Sequence, residues 1–129
     1  MGKTLFEKIA DKEIPAQVIW ENGDFMAFLD IRPWTDGHTL VVPKKFYSDY
    51  IFNLNDDIYL KLMQATKEVA DILKSKLDSD RVGVFVEGYG VPHVHVHLVP
   101  MNPDFDITRV NPVEAKRERL QKIKEKIIS

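Results

Sequence analysis

From Val91 to Pro100 the chain reads Val-Pro-His-Val-His-Val-His-Leu-Val-Pro, and this alternation constrains its fold more than any other stretch. On a β-strand, side chains at i, i+2 and i+4 leave one face, so His93, His95 and His97 form a row while Val94, Val96 and Leu98 face a packed interior. A helix would scatter them. A row of this kind could be a surface stripe, a set of satisfied half-buried rings or a metal comb. The ends of the row lie roughly 13 Å apart at about 3.3 Å per residue, whereas zinc needs its nitrogens about 2.0–2.1 Å from one centre. Two of the rings could chelate a metal, but all three could not without bending the strand. An elongated anion suits the row better, and a phosphate chain is one. Neutral imidazole can attack phosphorus, and protonated rings donate to its oxygens.

Around this row the sequence alternates short helices with β-runs. Thr4 with Glu7 three residues on is a capping-box pattern, which predicts a helix to about Lys12 with Leu5, Phe6 and Ile9 inward. Ile14–Trp20 is a β-run, and Asn22-Gly23 turns it into Phe25–Asp30. A third strand spans 39–43. Asn55 can cap a helix from Asp56 to about Leu77, where Ile58, Leu62, Ala65, Val69, Ile72 and Leu73 keep the 3.6 period. Arg81–Glu87 and His93–Val99 then pair across Gly88-Tyr89-Gly90. The expected product is α+β, a five-stranded antiparallel sheet with its helices on one face.

The tail adds a further expectation. Asn111, Pro112 and Glu114 fit N-cap, first helical position and third, so a last helix is predicted to run to Ile127. Its apolar stripe of Leu120, Ile123 and Ile127 is narrow and docks either on the parent domain or on a second subunit.

The row and its setting resemble the histidine triad superfamily, whose signature His-x-His-x-His-x-x is met by residues 93–99. Asp11-Lys12-Glu13-Ile14-Pro15-Ala16 looks like that family's lead into its first strand. Ala27–Pro33 followed by Gly37–Lys45 looks like its second and third strands, so the resemblance spans roughly residues 4–100. It implies one domain over 1–129 with 101–129 as an extension, a homodimer, and no cofactor or bound metal. The activity it implies is release of a purine, AMP-like nucleoside monophosphate from a phosphorus-linked leaving group. His95 matches the nucleophile and His97 the donor to the phosphate oxygens, while His93 and His38 match a pair that supports the site and relays a proton. Asp30 matches the ribose-binding acid; on its own terms it could equally cap the turn Ile31-Arg32-Pro33. Phe6, Ile9, Phe28 and Ile31 match the walls of the purine slot. The stretch Val86–Pro92 departs from the pattern, since it lacks the Gln and the Ser/Thr that many relatives place before the first histidine. That departure bears on leaving-group recognition, for which phosphoramidates are favoured and dinucleoside polyphosphates stand second. A nucleotide-binding regulatory module and a metal-binding domain are the readings from other classes.

Composition bounds the remainder. A chain of 129 residues without cysteine suits one domain with a real core and no disulfide framework. The formal net charge of −2 offers no general field for a nucleic-acid backbone. No apolar run is long enough to span a bilayer and the start lacks a signal-like pattern, so no membrane partner and a cytoplasmic location are expected.

Overall fold

A computed structural model describes residues 2–129. Helix α1 (Leu5–Ala10) opens on the predicted capping box: Thr4 Oγ1 accepts the Glu7 N–H, and the Glu7 carboxylate accepts the Thr4 N–H. Leu5, expected inward, is exposed, while Phe6 and Ile9 are buried. Strand β1 (Val18–Glu21) starts later than expected, since the run before it contains Pro15, which has no N–H for a ladder. The Asn22 side chain then accepts from the N–H groups of Asp24 and Phe25, at 2.9 and 2.8 Å, and turns the chain into β2 (Phe25–Leu29). Strand β3 (Thr39–Pro43) has the predicted bounds. Helix α2 (Asp56–Lys76) is capped by Asn55, whose side chain accepts the Ile58 N–H. Strands β4 (Arg81–Phe85) and β5 (Val96–Met101) and helix α3 (Arg117–Ile128) complete the chain.

The five strands lie in the order β1-β2-β3-β5-β4, every neighbour antiparallel, so the α+β class is as expected. The helices divide between the two faces. Phe25, Ala27 and Leu29 of β2 face Leu62, Ala65, Val69 and Leu73 of α2 and Leu120 and Ile127 of α3. Met26 and Phe28 point the other way and, with Leu40 and Val42 of β3, pack on Phe6 and Ile9 of α1. The placement of helices on one face thus holds for α2 and α3 but not for α1. The physical reason is visible in β2 itself: Phe-Met-Ala-Phe-Leu is apolar without alternation, and a strand buried on both sides needs cover on both.

The tail also differs from its reading. Helix α3 starts at Arg117, and its N-cap Lys116 makes no side-chain cap bond. Asn111-Pro112 does not begin it, because the segment before α3 runs extended across the domain, where the Ala115 N–H donates to the Ile31 carbonyl at 2.8 Å. Arg119 then grips Asp36 with two bonds of 3.0 and 2.6 Å. The apolar stripe of α3 docks on α2 and β1. Among the described residues no helix is long and apolar enough to cross a membrane.

Candidate active site

The histidine row is bent. Only His97 lies within a strand, paired with Leu40 on one side and Phe85 on the other, while His93 and His95 precede β5 in a turn-like segment. The expected strand start at His93 gives way because the His93 N–H closes a tight turn onto the Val91 carbonyl and the Val94 N–H donates to Ser48, both at 2.8 Å. The bend brings the rings together: the His95 and His97 centroids are 5.0 Å apart.

Each ring is held by partners that fix which nitrogen carries the proton. The Pro43 carbonyl can only accept, so His93 Nε2–H donates to it at 2.8 Å, and Nδ1 accepts from the Thr4 hydroxyl at 2.7 Å. By the same argument His95 Nδ1–H donates to the His93 carbonyl at 2.8 Å, which leaves the Nε2 lone pair free. The Trp34 N–H donates to His38 Nδ1 at 3.0 Å, so the proton of His38 sits on Nε2 and donates to His97 Nδ1 at 2.9 Å. His97 must then carry its proton on Nε2. That nitrogen is buried without a partner among the described residues. The site thus presents one unprotonated nitrogen, on His95, beside one unpaired donor, on His97.

These assignments require neutral rings, and burial favours that form at His38, His93 and His97. Desolvation, helped by the neighbouring imidazole, pushes His38 down to about 3 and His97 to about 4, and burial also lowers His93. The unfolded chain titrates its histidines near 6.5. A depressed folded value means that the unfolded state takes up protons first as pH falls, so stability is full above about 6.5 and declines from there towards 4. Chemical denaturation at pH 7.5 and 4.5 is expected to show a loss on the order of 2–4 kcal/mol, allowing for partial solvent screening. His97→Asn should flatten that decline; an unchanged slope would show that carboxylates account for it.

Both rings face a cavity of about 650 Å³ whose lining includes Phe6, Ile9, Phe28, Asp30 and Ile31. Every residue expected to bind nucleotide therefore meets His95 and His97 in one place. His38 and His93 stand behind this lining, with both nitrogens of each engaged. Asp30 ends β2, and its Oδ1 accepts the Arg32 N–H at 2.8 Å, so the capping role is present. Its Oδ2 lies 3.7 Å from His38 Nε2. Burial raises the Asp30 carboxyl above its usual range, against the opposing Arg32 N–H. Asp30, His38 and His97 offer three ligand atoms within 4.8 Å of one another. His38 Nε2 and His97 Nδ1 nevertheless point at each other across one shared proton, whereas a metal needs both lone pairs turned to one centre. The trio fits a hydrogen-bonded chain better than a ligand set.

Trp34, which like Tyr89 reads either as an ordinary packing aromatic or as a replacement wall on the leaving-group side, stacks on His97 at 5.3 Å with planes 11° apart. Other contributors were not legible as site residues. Thr4 reads only as a helix cap, and its bond to His93 spans 89 residues. Leu40, Pro15, Ala16 and Pro112 complete the apolar walls. Gly37-His38-Thr39, already tied to the site through His38, was the one local signal for this neighbourhood.

Fold and site together define an α+β protein with a histidine-lined cavity on one sheet face. Residues 11–104 match the HIT domain family. An uncharacterized HIT-like protein of Methanocaldococcus jannaschii is 41% identical over 101 residues, covering 74% of this chain and 77% of its own. The adenosine 5'-monophosphoramidase of Candida albicans is 30% identical over 137 residues, covering 95% of this chain and 88% of its own. A Hit-like protein involved in cell-cycle regulation from Bartonella henselae, of known crystal structure, superposes with a TM-score of 0.86 at 27% identity over 97% of this chain and 93% of its own. The chain belongs to the HIT family, the histidine triad proteins.

Proposed function

We propose that this protein is a nucleotide hydrolase that releases a purine nucleoside monophosphate, AMP-like, from a phosphorus-linked leaving group through a nucleotidyl-histidine intermediate. The observation that carries the reading is the pairing of the free His95 Nε2 lone pair with the unpaired His97 Nε2–H in one cavity. His95 Nε2 attacks the α-phosphorus and the bond to the leaving group breaks, the departing group taking its proton from solvent at the cavity mouth. His97 Nε2–H donates to a phosphate oxygen as charge gathers there. Water then cleaves the phosphorus–nitrogen bond and restores the free ring.

Phosphoramidates are the favoured substrates over dinucleoside polyphosphates. The charged side chains lining the cavity are Asp30, Arg32 and Glu87, so one cation stands against two carboxylates. That balance offers little to the extra charges of a polyphosphate. The Candida relative is named for activity on an adenosine phosphoramidate, which agrees. A panel of leaving groups on a constant adenosine monophosphate tests the reading: amines should turn over fastest, and a preference for polyphosphates would reverse the assignment.

Asp30 is proposed to accept the ribose hydroxyls. Asp30→Ala should raise KM by the equivalent of about 1–2 kcal/mol on a ribose substrate and by much less on its 2'-deoxy counterpart. Equal losses on both sugars would remove the role.

The proposal includes a two-fold dimer. Strand β4 ends the sheet with one edge unpaired, and Val84 on it is half exposed, which suits edge-to-edge joining of two sheets with the α2 helices nearby. Light scattering at micromolar concentration should give twice the mass of 14.9 kDa; the monomer mass would withdraw it. The cytoplasmic location and the lack of nucleic-acid partners expected from composition belong to the same reading.

A further inference from the structure

We infer that Thr4 is a positioning residue for His95: the hydroxyl that caps α1 also fixes His93, and the peptide of His93 holds the nucleophilic ring. The inference rests on the proposed role of His95 and adds to it a residue outside the 11–104 family match.

The chain of bonds has a forced direction at each link. The Thr4 oxygen accepts the Glu7 N–H at 3.1 Å, and its single proton goes to His93 Nδ1 at 2.7 Å. That leaves His93 Nε2–H for the Pro43 carbonyl and keeps the ring upright between α1 and β3. The His93 carbonyl in turn receives His95 Nδ1–H, which sets the lone pair of His95 on Nε2, towards the cavity. Glu7 closes the start of the chain, its carboxylate accepting the Thr4 N–H at 3.0 Å and the Phe46 N–H at 3.4 Å.

The geometry matters because His93 and His95 precede β5 and have no ladder to hold them. The peptide between His93 and Val94 is fixed by the Val94 N–H bond to Ser48 and by the anchored His93 side chain. Without the Thr4 hydroxyl, His93 Nδ1 is a buried acceptor lacking a donor, and the other tautomer, which cannot donate to Pro43, becomes competitive. Phe6 on α1 packs edge-on against both rings, at 5.4 Å from His93 and 5.1 Å from His95, so α1 grips the pair by a hydrogen bond and by an aromatic face. A cap serving the helix alone would need none of this.

The test compares Thr4→Val, Thr4→Ser and Asn55→Ala in the full chain, using an adenosine phosphoramidate and long-range ¹⁵N spectra of the histidine rings. Thr4→Val should lower kcat about tenfold or more with KM within about twofold, the cost of one lost hydrogen bond to the orienting group. Thr4→Ser keeps the hydroxyl and should restore at least half of kcat. Asn55→Ala removes a cap from α2 that makes no bond to the rings, and should lower the melting temperature while leaving kcat unchanged. The wild-type spectra should show the Nδ1–H form of His95 and the Nε2–H form of His93, and Thr4→Val should mix both. Wild-type kcat in Thr4→Val, or an equal fall in Asn55→Ala, would overturn the inference. If Thr4→Val does not fold, the wild-type spectra still decide, since the opposite tautomer at either ring overturns it. Absence of turnover in the wild type on every substrate would instead count against the proposed activity and leave the spectral test of the bond chain intact.

Discussion

His95→Ala is expected to reduce turnover by about three orders of magnitude or more, with binding of the nucleoside monophosphate changed only a few-fold. The substitution removes the attacking atom and little of the cavity, whose walls come mainly from Phe6, Ile9, Phe28, Leu40 and Trp34. Rapid quench of the wild type should trap the nucleotide on His95 through a phosphorus–nitrogen bond, stable in alkali and labile in acid. An ester to serine survives acid and an acyl phosphate is labile in alkali, so neither shows this combination. Trapping should proceed without an added divalent ion, because His97, which lines the cavity, keeps an Nε2–H with no partner among the described residues. Retention of more than a few per cent of activity by His95→Ala, or entry of labelled water into the product with no trapped species, would make water the attacking group and His95 a donor.

The largest expected loss of stability from a single methyl group is at Gly88. This residue has φ near +89°, and a Cβ there would lie 2.2 Å from the main-chain oxygen of Asp49. Backbone cannot yield as a side-chain end can, because the neighbouring Ser48 carbonyl is pinned by the Val94 N–H. Gly88→Ala therefore combines left-handed strain with a clash and should cost about 2–5 kcal/mol in urea denaturation. Gly90 has φ near +86° but open space around its Cβ position. Gly90→Ala should thus show the backbone term alone, about 1 kcal/mol. Gly23, with neither strain nor neighbours, should tolerate alanine with a change below about 0.5 kcal/mol. Because Tyr89 and Gly90 line the cavity mouth, the Gly88 variant should lose activity as well as stability. Equal costs at all three glycines would show that the turn is softer than its geometry implies.

The fold and the site were legible in the sequence to different depths. Elements whose signals are local came through with close bounds. The Thr4–Glu7 capping box, the Asn55 cap with the 3.6-residue stripe of α2, and the short apolar run of β3 ended by Pro43 each depend on residues a few positions apart. Where a local signal met a stronger distant contact, the distant contact won. Asn111-Pro112 has the composition of a helix start, yet the Ala115 N–H bonds the distant Ile31 carbonyl and α3 begins only at Arg117. The histidine row is a strand pattern, yet its first half bends because Ser48 claims the Val94 N–H.

By itself, then, the sequence determined that His93, His95 and His97 fall close together and that an antiparallel sheet with a long helix carries them, while the place of Asp30 and His38 beside them came from the resemblance to the histidine triad family. It could do so because side-chain periodicity and capping are written within a few residues. Tertiary structure alone decided what each ring can do. The proton positions on the four histidines are set by the Pro43 carbonyl, the Trp34 N–H, the Thr4 hydroxyl and the His93 carbonyl, and of these only the last comes from the histidine run itself. A hydrogen bond's direction depends on which partner packing delivers to it. No spacing within the chain states that Thr4 meets His93 or that, among the described residues, His97 Nε2 is left without a partner; the proton positions behind the proposed roles of His95 and His97 arise only once the sheet, α1 and the Trp34 loop close around them.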